Sequence, residues 1–322
     1  MAVHRERYVI KSPDGEYDAE ITGNLRFSAE SSSDFPVVGD WITFSVFDGS
    51  LAIIYSILPR LSILERQAVG KSGEKQLIAA NVDYSFIVQS LDQDFNINRL
   101  ERYLTLSLTS DITPILLLSK TDLIDKKELS NKIDTIHKRH SGLRILHFSN
   151  NTKEGYEEIE NELQKGKTYC FLGSSGVGKS TLINHLLGEQ MMKTRTISES
   201  TGKGKHTTSH RQLFILKNGS IVIDTPGMRE VGVIDTSEDS FDTISELSVK
   251  CKFSDCSHTN ELGCEVLAAI DDGRIDEASY QNFMKLQREA AHFQSTLAEK
   301  RQKDKKFGKI YKQIIAYKKK NK

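Results

Sequence analysis

The chain lacks most of what would mark a secreted, membrane-spanning or disordered protein. It has four cysteines in 322 residues, too few for a disulfide framework, with five prolines and one tryptophan. Apolar runs such as Ile115-Leu116-Leu117-Leu118 fall far short of the ~20 residues needed to cross a bilayer. Residues 1–10 carry Arg5, Glu6 and Arg7 where a secretory leader would be apolar, so a cytosolic protein is expected, with no membrane partner. Net charge is missing too, because 44 basic residues balance 44 acidic ones, which excludes a histone-like polycation. That balance is the sum of two opposite parts. Residues 300–322 hold eleven Lys or Arg against Asp304 alone, a net +10, and the preceding 299 residues carry 33 basic against 43 acidic. Such a tail could neutralise phosphates at a salt-dependent affinity; a solvated end, or one folded back on the acidic body, stays an open alternative.

What is present falls into three textures. Residues 8–10, 17–22, 24–27, 40–47 and 51–58 form short β-type runs, separated by turn residues such as Ser12-Pro13-Asp14-Gly15 and Asp48-Gly49. They predict a small closed β-barrel of OB type over residues 1–66, which either binds RNA or only packs on its neighbour. Over 67–232 apolar strands (84–89, 113–118, 144–148, 168–172, 212–216, 221–223) alternate with amphipathic helices (97–110, 126–139, 155–163, 179–187), as in a doubly wound α/β sheet. Over 233–299 strands give way to helices, predicted at 241–247, 265–272 and 275–298 around a cysteine cluster, ahead of the basic tail.

Gly173-Ser174-Ser175-Gly176-Val177-Gly178-Lys179-Ser180 matches G-x-x-x-x-G-K-[ST] in full, follows an apolar strand and opens a helix at Thr181. Its glycines let backbone amides close around phosphates, Lys179 adds a point charge and Ser180 offers a hydroxyl to Mg²⁺. Downstream, the strand Ile221-Val222-Ile223 ends in Asp224-Thr225-Pro226-Gly227, where Asp224 would hold the metal through water and the Gly227 amide would meet the γ-phosphate. Between them, Gly204-Lys205-His206-Thr207-Thr208 supplies a threonine for the Mg²⁺ shell, either Thr207 or Thr208. His206 could orient water, contact RNA or be merely solvated. Met228, where many GTPases place a water-orienting glutamine, cannot position water, so slow intrinsic hydrolysis is expected.

Ser119-Lys120-Thr121-Asp122 ends another apolar strand. A carboxylate such as Asp122 accepts two hydrogen bonds from guanine and finds no such pair on adenine, which disfavours an ATP-dependent kinase or transporter-type ATPase. Lys120 would pack over the base. Ser119 stands where asparagine is usual, so either looser guanine binding or a compensating contact is expected. Ser149-Asn150-Asn151 ends the next strand, where a backbone amide could meet the guanine O6. The base-reading segment precedes the phosphate loop, the reverse of ordinary small GTPases. Because nucleotide contacts sit at strand C-termini, rejoining the chain elsewhere keeps the site, and the order predicts a circularly permuted GTPase that takes GTP or GDP. Cys251-x₄-Cys256-x-His258-x₅-Cys264 offers three thiolates and an imidazole, a closed set suited to one structural Zn²⁺, while Cys170 on the strand entering the phosphate loop reads as a core residue.

With these motifs in this order, the chain resembles the RsgA (YjeQ) family of small-subunit-dependent GTPases. Further matches are Pro36-Val37-Val38-Gly39-Asp40-Trp41 and Ile78-Ala79-Ala80-Asn81-Val82-Asp83. The resemblance implies an OB domain, a permuted GTPase domain and a C-terminal zinc domain. It also implies GTP hydrolysis stimulated by the small (30S) ribosomal subunit in its late maturation, with the subunit and its rRNA as partners; a monomer is the simpler expectation for such a factor. Ser119 and the lysine-rich tail depart from the family pattern. The competing expectation is an RNA-binding assembly factor in which nucleotide is mainly structural.

Overall fold

The structure, a computed structural model, describes residues 3–4, 7–47, 51–67, 75–188, 211–225, 241–294, 299 and 302. Strands β1 (Val3–His4), β2 (Arg7–Ser12), β3 (Gly15–Ile21), β4 (Ile42–Phe47) and β5 (Leu51–Ile57) form one sheet in the order β1-β2-β3-β5-β4. All pairs are antiparallel except β3 with β5, where Ala19 faces Ala52 and Ile21 faces Ile54. This is the strand order of an OB barrel; among the described residues no ladder joins β4 back to β1. Alternate residues Tyr8, Ile10, Ala19, Ile21, Ala52 and Ile54 point inward and make its core.

Residues 24–27, expected to be extended, are helical in α1 (Gly23–Ser28). The Thr22 hydroxyl accepts from the Leu25 amide at 3.2 Å, and this cap outweighs the β-type look of Leu25 and Phe27. A hairpin, β6 (Ile63–Gln67) and β7 (Lys75–Ala80), follows the barrel. Residue 66, the expected end of the first unit, lies inside β6, and Leu64, Ile78 and Ala79 pack in the core of the next layer.

The two segments quoted for the resemblance form the junction. Ala80 donates its amide to Val38 O at 3.0 Å, and Asn81 donates its side-chain amide to Gly39 O at 2.9 Å. Gly39 has φ +95°, and a Cβ there would collide with the Ala80 carbonyl. Asp40 receives a two-pronged ion pair from Arg60, both contacts at 2.8 Å, and Arg60 also donates to Ser33 O and Phe35 O.

The central sheet contains β8 (Tyr84–Ser90), β9 (Thr113–Ser119), β10 (Arg144–Phe148), β11 (Thr168–Leu172), β12 (Gln212–Ile215) and β13 (Ile221–Asp224), in the order β10-β9-β8-β11-β13-β12. Only β12 runs antiparallel. Helices α2 (Ile97–Leu108), α3 (Lys126–Arg139), α4 (Tyr156–Glu162) and α5 (Lys179–Leu187) cover it, with one apolar cluster on each face. β11 is buried along its whole length between β8 and β13.

Helices α6 (Asp242–Ser248), α7 (Glu265–Asp271) and α8 (277–294) complete the described chain. Phe241, Leu247, Val266, Phe283 and Leu286 form their core. Polar side chains fasten α8 to α2: Arg102 donates twice to Glu289, at 2.9 and 2.7 Å, and Asn282 donates to Glu101. Glu101 is fully buried and also pairs with Arg139 at 3.1 Å, which in turn reaches Asp276. A buried carboxylate needs such partners, so this contact fixes one docking geometry as well as adding area.

Candidate nucleotide site and metal centre

The parallel strands end together, and their C-terminal edge gathers the predicted residues. β11 delivers the phosphate loop, in which Gly173, Gly176 and Gly178 all have positive φ. A Cβ on Gly173 would strike the Val88 carbonyl of β8, so a glycine is required where the loop leaves the sheet. Lys179 is 6% exposed and donates to Gly173 O at 2.8 Å and Ser174 O at 2.7 Å, folding its ammonium into the loop. Ser175, Ser180 and Thr181 are half-buried at the mouth, and the buried Ser174 hydroxyl has no partner among the described residues.

Asp224 ends β13 beside this loop. It is 1% exposed, and among the described residues neither carboxylate oxygen has a hydrogen-bond partner. Burial pushes its carboxyl up to about 6, against the pull of Lys179; burial likewise brings the Lys179 ammonium down to about 8, against the pull of Asp224. A dry carboxylate left without donors is costly unless a cation and its water complete it, so the residues fit Mg²⁺, with Ser180 as the second protein group. The cost gives a testable sign. Because the folded pKa of Asp224 lies above its unfolded value of 3.8, stability is lost as pH rises through the interval from about 4 to about 6. Without nucleotide and Mg²⁺, Asp224→Asn should stabilise the chain at pH 7 by about 1–3 kcal/mol. Urea unfolding at pH 4 and pH 7 checks this, and the gain should vanish at the lower pH.

Base-reading residues arrive on β9 and β10. Ser119 is fully buried and donates to Val177 O of the phosphate loop at 2.7 Å. Lys120 adopts a left-handed backbone (φ 63°) and pairs with Asp92 at 2.5 Å, a partner the sequence did not suggest. Thr121 is buried in the 3₁₀ turn. Asp122 accepts from the Ser149 hydroxyl at 2.6 Å and the Asn151 side-chain amide at 2.9 Å, and the Ser149 bond above all holds its carboxyl below the usual range. The Ser149 amide itself donates to Glu154 O, so Ser149 acts on Asp122 through its hydroxyl. An ionised carboxylate oriented by two donors and open on its other lone pairs is suited to a guanine edge. His206, Thr207, Thr208, Gly227, Met228 and the basic segment 300–322, apart from Gln302, lie outside the described residues.

In the third layer, ligand atoms of Cys251, Cys256, His258 and Cys264 lie within 4.8 Å of one another. His258 Nδ1 is 3.4 Å from Cys264 Sγ and 3.7 Å from Cys251 Sγ, and the two sulfurs are 3.9 Å apart. A tetrahedral zinc with bonds near 2.3 Å has edges of ~3.7 Å, so the set fits Zn²⁺. All four cysteines are free, and Cys170 is buried in β11 away from this set. Tyr280 of α8 donates to His258 O at 2.7 Å, tying the ligand loop to the helix that docks on α2.

Comparison with known proteins agrees with this layout. A family model described as RsgA GTPase matches residues 57–234, and one described as 50S ribosome-binding GTPase matches 168–306, beginning at β11. The "Small ribosomal subunit biogenesis GTPase RsgA 1" of Bacteroides thetaiotaomicron is 38% identical, over 98% of this chain and 88% of that one. The "RsgA 2" of Listeria monocytogenes is 45% identical over 90% and 82%. Among solved structures, YjeQ from Thermotoga maritima superposes with a TM-score of 0.66 at 26% identity, covering 89% of this chain and 95% of that one. YloQ, a circularly permuted GTPase, shares the fold with a TM-score of 0.64 at 24% identity, over 90% and 92% of the two chains.

Proposed function

Because the chain belongs to the RsgA GTPase family, we propose that it hydrolyses GTP in the biogenesis of the small ribosomal subunit, binding the immature subunit and leaving on hydrolysis. The observation that supports this most directly is the convergence of Ser119–Asp122 and Gly173–Ser180 on one sheet edge, in permuted order. In this reading Asp122 selects guanine, the loop amides and Lys179 hold the phosphates, and Ser180 with Asp224 holds Mg²⁺, which when bound neutralises charge on the transferring phosphoryl group. Thr207 or Thr208 completes that metal shell, the Gly227 amide meets the γ-phosphate and His206 is brought to the attacking water.

The barrel supplies the RNA-facing surface. Trp41, Phe47 and Tyr55 are 65%, 64% and 53% exposed, and aromatic faces of this kind stack on unpaired bases with little sequence demand. The cations of residues 300–322 add affinity for rRNA phosphates. With its first boundary moved ahead of β6, the division into barrel, central sheet, zinc-binding helices and basic tail assigns RNA contact, nucleotide and zinc to separate units of one cytoplasmic monomer. No helix of the described residues is long and apolar enough to cross a membrane.

Cosedimentation with small subunits, with GTP turnover measured in the same tubes, tests the proposal. Binding roughly tenfold tighter with a non-hydrolysable GTP analogue than with GDP is expected, together with faster turnover on the subunit. Cosedimentation without any change in turnover would favour an RNA-binding assembly factor whose nucleotide is mainly structural.

A further inference from the structure

Resting on the reading of this edge as a GTP site, we propose that Asn150, braced by Tyr156, is a positioning residue for the phosphate loop, supplying from the end of β10 the amide contact that Ser119 is too short to make from β9. Ser119 carries one hydroxyl proton, which it gives to Val177 O. Asn150 donates its side-chain amide to the next carbonyl, Gly178 O, at 3.2 Å, and its own oxygen accepts from the Tyr156 hydroxyl at 2.6 Å. The tyrosine proton decides the amide's orientation, because only the oxygen end can accept it, and the NH₂ end is left facing the loop. Tyr156 is held in turn. It is buried, its ring centre lies 4.1 Å from that of His185 on α5, and Lys153 Nζ lies over the ring, 4.9 Å from its centre.

The peptide plane gives this contact its effect. Val177 O belongs to the same rigid unit as the Gly178 N–H, and Gly178 O to the same unit as the Lys179 N–H. Holding the two carbonyls toward β9 and β10 turns the two amides the opposite way, toward the space the loop encloses. Gly178 has φ +100°, a region from which glycine rotates at little cost, so an external restraint on this peptide limits a rotation its own backbone allows. Its carbonyl also accepts the first helical bond of α5, from Leu182 at 3.1 Å, and Asn150 adds a second donor to the same oxygen. A Cβ on Gly178 would collide with the Asn150 amide, which shows how closely the two positions are matched.

Release of fluorescent GDP and of a fluorescent non-hydrolysable GTP analogue from the full chain, measured by stopped flow, tests the clamp. Asn150→Ala should speed both releases by roughly 3- to 10-fold and Tyr156→Phe by roughly 2- to 5-fold, as expected for one hydrogen bond lost directly or through its brace. Asn150→Asp keeps the volume and the tyrosine bond but sets a carboxylate oxygen against Gly178 O, so it should release faster still; a packing role would make it the mildest variant. The preference for GTP over ITP, which lacks the 2-amino group, should stay unchanged in all three and collapse in Asp122→Ala. Release at the wild-type rate from Asn150→Ala, or a loss confined to the GTP-to-ITP ratio, would overturn the clamp. If Asn150→Ala does not fold, Tyr156→Phe decides by the same criteria. A wild-type chain that retains no guanine nucleotide would instead overturn the reading of the site.

Discussion

Lys179→Met is expected to slow GTP turnover by about 10²- to 10³-fold, the scale of losing one preorganised charge from a water-excluded site. The same substitution should leave the nucleotide-free chain as stable as before, or more so. Lys179 contacts two neutral carbonyls, and burial weakens its hold on a proton by more than the nearby Asp224 strengthens it, so the folded protein pays for keeping that charge in place. Methionine fills a similar volume without the charge. Single-turnover hydrolysis and urea unfolding on one preparation separate the two effects. Turnover within threefold of wild type would show that the ammonium does not act on the phosphates.

Removing zinc is expected to unfold residues 241–294 and leave the central sheet folded. The apolar core there is small, and Cys264 belongs both to it and to the metal set while capping α7 through the Leu267 amide. A structural zinc contributes on the order of 10 kcal/mol or more to folding in small metal-bound domains, well beyond what this core could replace. Hydrogen exchange followed by mass spectrometry, before and after chelation, should show protection lost across α6 to α8 and kept in β8, β9 and β11. One equivalent of zinc should be released. Full release with unchanged protection of α7 would refute the structural role.

The sequence made the site legible wherever its chemistry is contiguous. The phosphate loop, Ser119 to Asp122 and the cysteine spacing are short runs, and each lies on the strand end or loop that its periodicity implied. The α/β alternation was equally plain, because buried parallel strands such as β11 leave unbroken apolar runs. Helix α1 was misjudged since a single capping hydroxyl, Thr22, decides it. The hairpin β6–β7 was missed because Glu65, Arg66 and Gln76 hide its alternation. Contacts between distant segments left no trace at all: Arg102 and Glu289 are 187 residues apart, and Asn150 meets Gly178 across 28. For Ser119 the order of residues leaves looser guanine binding and a compensating contact equally open, because nothing in it says which turn will face the loop.

The permuted strand order also sets a schedule for synthesis. β8 is made with β9 as its neighbour on one side, while its other edge pairs with β11, roughly eighty residues later. At ~5–20 residues per second the ribosome needs about 4 to 16 s to supply that partner. During that interval the backbone of Phe86, Ile87 and Val88 presents an unpaired, strongly apolar edge, the kind of template that recruits other chains. In an unpermuted order the phosphate-loop strand would already be waiting. The nascent chain therefore carries a time window of aggregation risk that closes when β11 covers the open edge of β8, with β13 and β12 added beyond it afterwards.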